Sequence, residues 1–166
     1  MGTILAIPIL LFTVMVQSVV MPRIPLLYGT ADLVMLVVIA WGLQDRPKNS
    51  WFWTLLAGLL VSFVSALPAF VPLIALLLIN LILQLIRHRI WQMPILMMLF
   101  MTFLGTFIHL LLSFAVLRFN GTLLPLSESL SLVVFPSVLL NLILALPVYV
   151  VISDLANAVY PAEIEM

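Results

Sequence analysis

The sequence predicts an all-α integral membrane protein, with six transmembrane helices in one bundle and both termini in the cytoplasm. Three observations carry this. The six basic and six acidic residues sit in short clusters rather than being scattered. The runs between clusters are apolar and of spanning length, and residues 49–86 carry no charge at all. Across the chain 66% of residues are hydrophobic and 7% charged, against roughly 25% charged in soluble domains. A charge at the bilayer centre costs about 2.5–3.5 kcal/mol on insertion scales, so a polytopic chain keeps its charges at segment ends.

At 166 residues there is room for a single polytopic domain, 1–166, and no added soluble one. A formal net charge of zero gives no reason to expect nucleic acid as a partner. The absence of cysteine excludes disulfides, iron–sulfur clusters and thiol catalysis. The apolar N-terminus has neither a basic n-region nor a small-residue cleavage signature, so it is expected to be a retained helix.

A span needs about 20 mostly apolar residues. The first is expected over 3–20, closed by Pro22, and the second over 26–44. As one helix the uncharged stretch after Asn49 would be about 57 Å long, too long for one crossing. The run Ala66-Leu67-Pro68-Ala69-Phe70-Val71-Pro72 breaks it into a hairpin of 51–67 and 72–86. The fifth and sixth spans are expected over 93–117 and 132–153.

Orientation follows from the basic residues of short loops. The second and fourth loops hold Arg46, Lys48, Arg87 and Arg89, whereas the first and fifth hold only Arg23 and Arg118. That bias puts both termini inside. Trp41, Trp51, Trp53 and Trp91 flank the two basic loops, as an interfacial belt would. Asn120-Gly121-Thr122, in the longest connection, matches a glycosylation acceptor but reads better as a turn.

Several residues invite a functional reading. Asp32 is an intramembrane carboxylate if the second helix starts at Leu26. If the helix starts at Thr30, Thr30 is its N-cap and Asp32 lies in a first turn that favours negative charge. The cap reading is preferred, although it leaves a short span. Gly58, Ser62 and Ala66 recur every fourth residue, a small-residue seam for close helix packing, internal or toward a partner. Asn80 and Gln84 share one face of the fourth helix. Thr102, Thr106, His109 and Ser113 share a face of the fifth, and Asn141 lies inside the sixth. Such groups must find partners in hydrocarbon, so they are expected to bond across helices; a solute pocket would need a similar set.

No catalytic, cofactor or metal site is expected. There is no His-Glu-x-x-His, no Gly-x-Ser-x-Gly elbow and no glycine-rich phosphate loop. His88 and His109 without cysteine make a poor zinc pair. The acidic residues other than Asp32 lie at ends or in loops, which argues against proton-coupled transport.

The segment Phe135-Pro136-Ser137-Val138-Leu139-Leu140-Asn141-Leu142-Ile143-Leu144-Ala145-Leu146-Pro147-Val148-Tyr149 resembles the last helix of the bacterial rod shape-determining MreD family, with its Pro-Ser-x-Leu-Leu-Asn…Pro-x-Tyr pattern. Met21-Pro22-Arg23-Ile24-Pro25-Leu26-Leu27 followed by Ala31-Asp32-Leu33-Val34 resembles the family's Leu-Pro…Pro-Asp-Leu pattern, with Ala31 where the family usually has proline. Gly58-Leu59-Leu60-Val61-Ser62-Phe63-Val64-Ser65-Ala66-Leu67-Pro68 resembles its Gly-Leu-Leu-x-Asp…Ser-Gly-x-Pro, with Ser62 for the aspartate and Ala66 for the glycine.

The resemblance implies a non-enzymatic, multi-pass scaffold in the bacterial cytoplasmic (inner) membrane, part of the elongasome that sets cell shape through peptidoglycan synthesis. Implied partners are an MreC-like single-span protein and, beyond it, MreB-type filaments and cell-wall synthases. The bundle is also similar to the substrate-binding subunits of energy-coupling-factor vitamin transporters, which is the alternative function. The Ala-x-x-x-Ala motif common on their first helix is missing, since Ala6 is followed four positions later by Leu10.

Overall fold

The computed structural model describes residues 2–20, 29–45, 49–87, 93–121 and 130–160, and among these there is no strand. The helices are α1 (Gly2–Val20), α2 (Leu33–Gly42), α3 (Ser50–Val64), α4 (Phe70–Arg87), α5 (Pro94–Phe119) and α6 (Phe135–Val159), the last preceded by a π-helical turn over Leu130–Val134. By length and composition α4, α5 and the continuous stretch Leu130–Val159 can cross a membrane. The apolar stretches Thr3–Val19, Leu33–Gly42 and Ser50–Val64 fall short of that length.

The second helix departs most from the sequence expectation. Instead of 26–44 it covers ten residues, about 15 Å of rise, roughly half a hydrocarbon thickness. Residues 26–28 lie outside the described residues, but Gly29 to Asp32 are non-helical. Their backbone has other partners: the Thr30 N–H donates to Ser137 Oγ at 3.0 Å, and the Asp32 N–H to Asn141 Oδ1 at 2.8 Å. Gly29 makes this approach feasible, since a Cβ there would lie 2.8 Å from the Pro136 carbonyl carbon and 2.9 Å from the Ser137 nitrogen.

α2 is too short to span, and the open backbone at its ends cannot face lipid, so it has to be enclosed by other helices. Val34 through Gly42 are all buried, and the helix touches α1, α3, α4, α5 and α6. Trp41 stacks on Trp53 of α3 with ring centroids 4.0 Å apart, and its indole N–H donates to Asn49 Oδ1 at 3.2 Å. This corrects the expected tryptophan belt: Trp41 and Trp53 are fully buried core residues, and among the described tryptophans only Trp51 is exposed. Trp91, like Arg23, Arg46, Lys48, His88 and Arg89, lies outside the described residues.

The α3–α4 hairpin forms at the predicted breaker, but α3 stops at Val64 rather than 67. Ser65 turns extended (φ −72°, ψ 139°), and its N–H still reaches the Val61 carbonyl at 2.8 Å. The Ser65 hydroxyl oxygen accepts the Leu67 N–H at 3.1 Å. The Pro68 carbonyl accepts the Val71 N–H at 2.9 Å, starting α4 two residues before Pro72. Proline is tolerated there because first-turn N–H groups lack helical acceptors. The small-residue seam is internal. A Cβ on Gly58 would meet Leu73 Cδ1 at 2.6 Å and Leu73 Cα at 3.1 Å, while Ala66 lies past the helix in the turn. Ser62 Oγ sits 2.6 Å from the Gly58 carbonyl and 2.5 Å from the Ala69 carbonyl, so its one hydrogen ties both arms together.

At the other end of the chain α6 continues six residues past the predicted 153, and α5 extends two past 117. Asp154 is accommodated within a helix, not at its end.

Candidate functional site

The end of α1, the non-helical entry to α2, the end of α3, the second half of α5 and the start of α6 converge on a cavity of about 520 Å³. Its floor is polar. Asp32 itself, not Thr30, is the N-cap of α2: its Oδ1 accepts the Met35 N–H at 3.0 Å. Its second oxygen, Oδ2, lies 2.7 Å from His109 Nδ1 of α5. A carboxylate oxygen accepts, so Nδ1 carries the hydrogen and Nε2 is the nitrogen left for other partners. The pair is largely enclosed, with side-chain exposures of 22% for His109 and 14% for Asp32.

The first N–H groups of a helix have no helical acceptor, and here they are met from other helices. Gln17 Oε1 of α1 accepts the Val34 N–H at 3.0 Å. Asn141 of α6 accepts from the Asp32 backbone with Oδ1 and donates through Nδ2 to Thr106 Oγ1 at 3.0 Å. The Thr106 hydroxyl in turn donates to the Thr102 carbonyl at 2.8 Å. One connected network therefore joins α1, α2, α5 and α6 around Asp32.

Of the residues singled out in the sequence, Asp32, Thr106, His109, Ser113 and Asn141 meet in this site. Pro136 borders it, packed against Gly29. Asn80 and Gln84 do not reach it. Asn80 is fully buried elsewhere, accepting the Ser50 hydroxyl at 2.6 Å, with the Gln84 amide 3.5 Å from the same oxygen. Near that end Arg87 donates to the Gly42 and Asp45 carbonyls at 3.4 and 3.2 Å, a cation at the C-terminus of α2 where the helix dipole favours it. Tyr149 lines a small cavity of about 100 Å³ there with Asp45 and Arg87. Gly58, Ser62, Ala66 and Pro68 belong to the α3–α4 hairpin.

Pro147 lies in a third place. It stands inside α6 opposite Pro8, the proline inside α1, across an apolar groove of about 830 Å³. Leu33 and Val37 of α2 also line the groove, and Phe12 and Val151 stand beside the two prolines.

Gln17 and Ser137 were not singled out as site residues. Gln17 had a signal, as the one amide in the first apolar run; Ser137 had only its place in the quoted α6 pattern. The Ser113 hydroxyl donates to the His109 carbonyl at 2.8 Å, so its hydrogen goes to backbone, not to the imidazole. Among the described residues no cluster of His, Cys, Asp or Glu could hold a metal ion.

Compared with protein-family models, curated proteins and solved structures, the chain matches none.

Proposed function

We propose that this chain is a six-span, MreD-like scaffold of the bacterial cytoplasmic membrane, with both termini inside, that holds the transmembrane helix of an MreC-like single-span partner. The observation that carries the reading is the groove between α1 and α6. It runs from Pro8 to Val16 on one wall and from Leu144 to Ala158 on the other, about 12 Å and 21 Å of helical rise. Apolar area alone gives no drive to associate in lipid; shape-matched van der Waals packing does. A channel with two helical walls and an apolar floor offers a third helix that packing.

Each groove wall contains an interior proline. Proline has no N–H to donate, so Pro8 and Pro147 deprive the Ile4 and Ile143 carbonyls of their usual helical donors. Prolines persist in membrane helices where a neighbour re-satisfies the freed groups. A partner helix, whose own N–H groups are bonded within it, would pack between the two walls rather than supply those donors. Through it the chain would position cell-wall synthases outside and filaments inside, without chemistry of its own.

Purification in mild detergent tests this. Retention of a single-span partner supports the scaffold; a chain that never retains one counts against it. The alternative, a vitamin-binding subunit of an energy-coupling-factor transporter, draws on the cavity at Asp32. Tight binding of common vitamins by titration calorimetry would favour it over the scaffold.

A further inference from the structure

The groove leaves the polar cavity unexplained, and the cavity makes a separate demand. Five networked side chains are more than a helix cap needs, and they line a space of about 520 Å³, within the roughly 300–1,000 Å³ of small-molecule sites. From these groups we infer that the cavity binds an uncharged, hydroxyl-bearing amphiphile, its head at His109 and its hydrocarbon part along the apolar wall. The inference does not depend on the scaffold reading.

Charge decides the first half. Both Asp32 carboxylate oxygens are already engaged, Oδ1 by the Met35 N–H at 3.0 Å and Oδ2 by His109 Nδ1 at 2.7 Å, so a cationic head finds no free carboxylate oxygen. Among the described lining residues there is no lysine or arginine, so an anionic head finds no counter-charge. Transferring a charged group into such a site without a partner is costly. An uncharged head is not penalised in this way.

Hydrogen-bonding capacity decides the head's chemistry. The Ser113 hydroxyl donates to the His109 carbonyl and the Ser18 hydroxyl to the Val14 carbonyl, both at 2.8 Å. Each therefore presents oxygen lone pairs to the cavity. Ser137 Oγ accepts the Thr30 N–H, and its own hydrogen remains for donation. His109 adds Nε2. Acceptors and donors are mixed along the polar lining of one cavity, from Ser18 at its mouth inward, and a hydroxyl group, which both donates and accepts, complements such a set.

The walls supply the second half. Val14, Val61, Val64, Leu110, Leu117 and Val133 line the rest of the cavity. They come from α1, α3, α5 and the turn before α6, so the apolar part of the ligand is surrounded rather than laid on one face. Such a molecule arrives from the bilayer, as an acylglycerol does; a free polyol has no part to meet these walls.

The test uses the full chain in phosphatidylcholine nanodiscs, with histidine ring nitrogens labelled. Monooctanoylglycerol, octylammonium, octyl phosphate and glycerol are titrated separately, with acylated probes compared at equal bilayer mole fraction. The His109 resonance is assigned by its loss in His109→Gln. A saturable shift of His109 is expected with monooctanoylglycerol, at least tenfold tighter than with either charged probe. Leu110→Trp, which fills the cavity, should weaken the response at least tenfold with helix content unchanged. If that variant does not fold, Ser18→Phe at the exposed mouth takes its place with the same expectation. A charged probe binding as tightly overturns the neutral head, and glycerol matching the acylated probe overturns the amphiphile. No saturable shift, or an undiminished one in the filled variant, overturns the site.

Discussion

Asp32 uses its two carboxylate oxygens for two different helices: Oδ1 caps α2 through the Met35 N–H at 3.0 Å, and Oδ2 holds His109 of α5 at 2.7 Å. One short side chain thus ends the non-helical entry to α2 and fixes α2 against α5. Removing it should cost more than an ordinary cap. Loss of an N-cap is worth about 0.5–2 kcal/mol, and a stranded, largely enclosed histidine adds to it. Asp32→Ala is expected to lower stability by about 2–4 kcal/mol in denaturant unfolding, the cap and the lost buried hydrogen bond together. Residues in contact couple by about 0.5–3 kcal/mol, so Asp32→Ala/His109→Ala should fall short of the sum of its single variants.

Asn141 gives a second check on the same network. Its amide satisfies the Asp32 N–H and reaches Thr106 at once. Asn141→Leu keeps the branched heavy-atom shape and orphans a buried backbone donor, at about 1–3 kcal/mol. Hydrogen exchange should rise at the start of α2, far in sequence from the substitution; unchanged exchange there would show that Asn141 does not hold that entry.

Two glycines should respond differently to the same change. At Gly29 an added Cβ meets Pro136 and Ser137 backbone at 2.8 and 2.9 Å, whereas at Gly42 its nearest neighbour is Leu83 Cδ2, at 2.5 Å. Backbone cannot yield as a side-chain end can. Gly29→Ala is therefore expected to be the more destabilising of the pair by at least about 1 kcal/mol, in the range of overpacking costs. Thermal unfolding in detergent reads the order directly.

Ser62 stands where the resembled family has aspartate. Its hydroxyl lies between the Gly58 and Ala69 carbonyls, and both of these are acceptors. A carboxylate would face two oxygens with no hydrogen to offer. Ser62→Asp should destabilise the hairpin more than Ser62→Ala, which forfeits about 1 kcal/mol of hydrogen bonding. The reverse order, by unfolding midpoint, would show that the hairpin can accept the family residue.

Much of this architecture is legible in local sequence. The hairpin break at Pro68, the internal seam at Gly58 and the inward-facing polar groups on α5 and α6 follow from periodicity and from the solvation of polar groups. The short α2 does not. Its entry is unwound because Ser137 and Asn141, over a hundred positions away, accept its N–H groups, and no local pattern records that. The Trp41–Trp53 stack escaped for a related reason: tryptophan near basic loops suits an interface, and only the packing of α2 against α3 shows that these two face inward. The groove was illegible because it depends on how α1 and α6 are spaced across α2.

The most direct test of the scaffold lies in that groove. The chain has no cysteine, so a cysteine placed at Val151, a groove residue 65% exposed, is its only thiol. Phe63, 86% exposed on α3 and outside the groove, provides the control. With a cysteine in the transmembrane helix of the co-expressed MreC-like partner, mild oxidation should give a disulfide-linked heterodimer from Val151→Cys and little from Phe63→Cys. Equal yields from both positions, or none from Val151→Cys while the partner still co-purifies, would contradict the groove as the partner's seat.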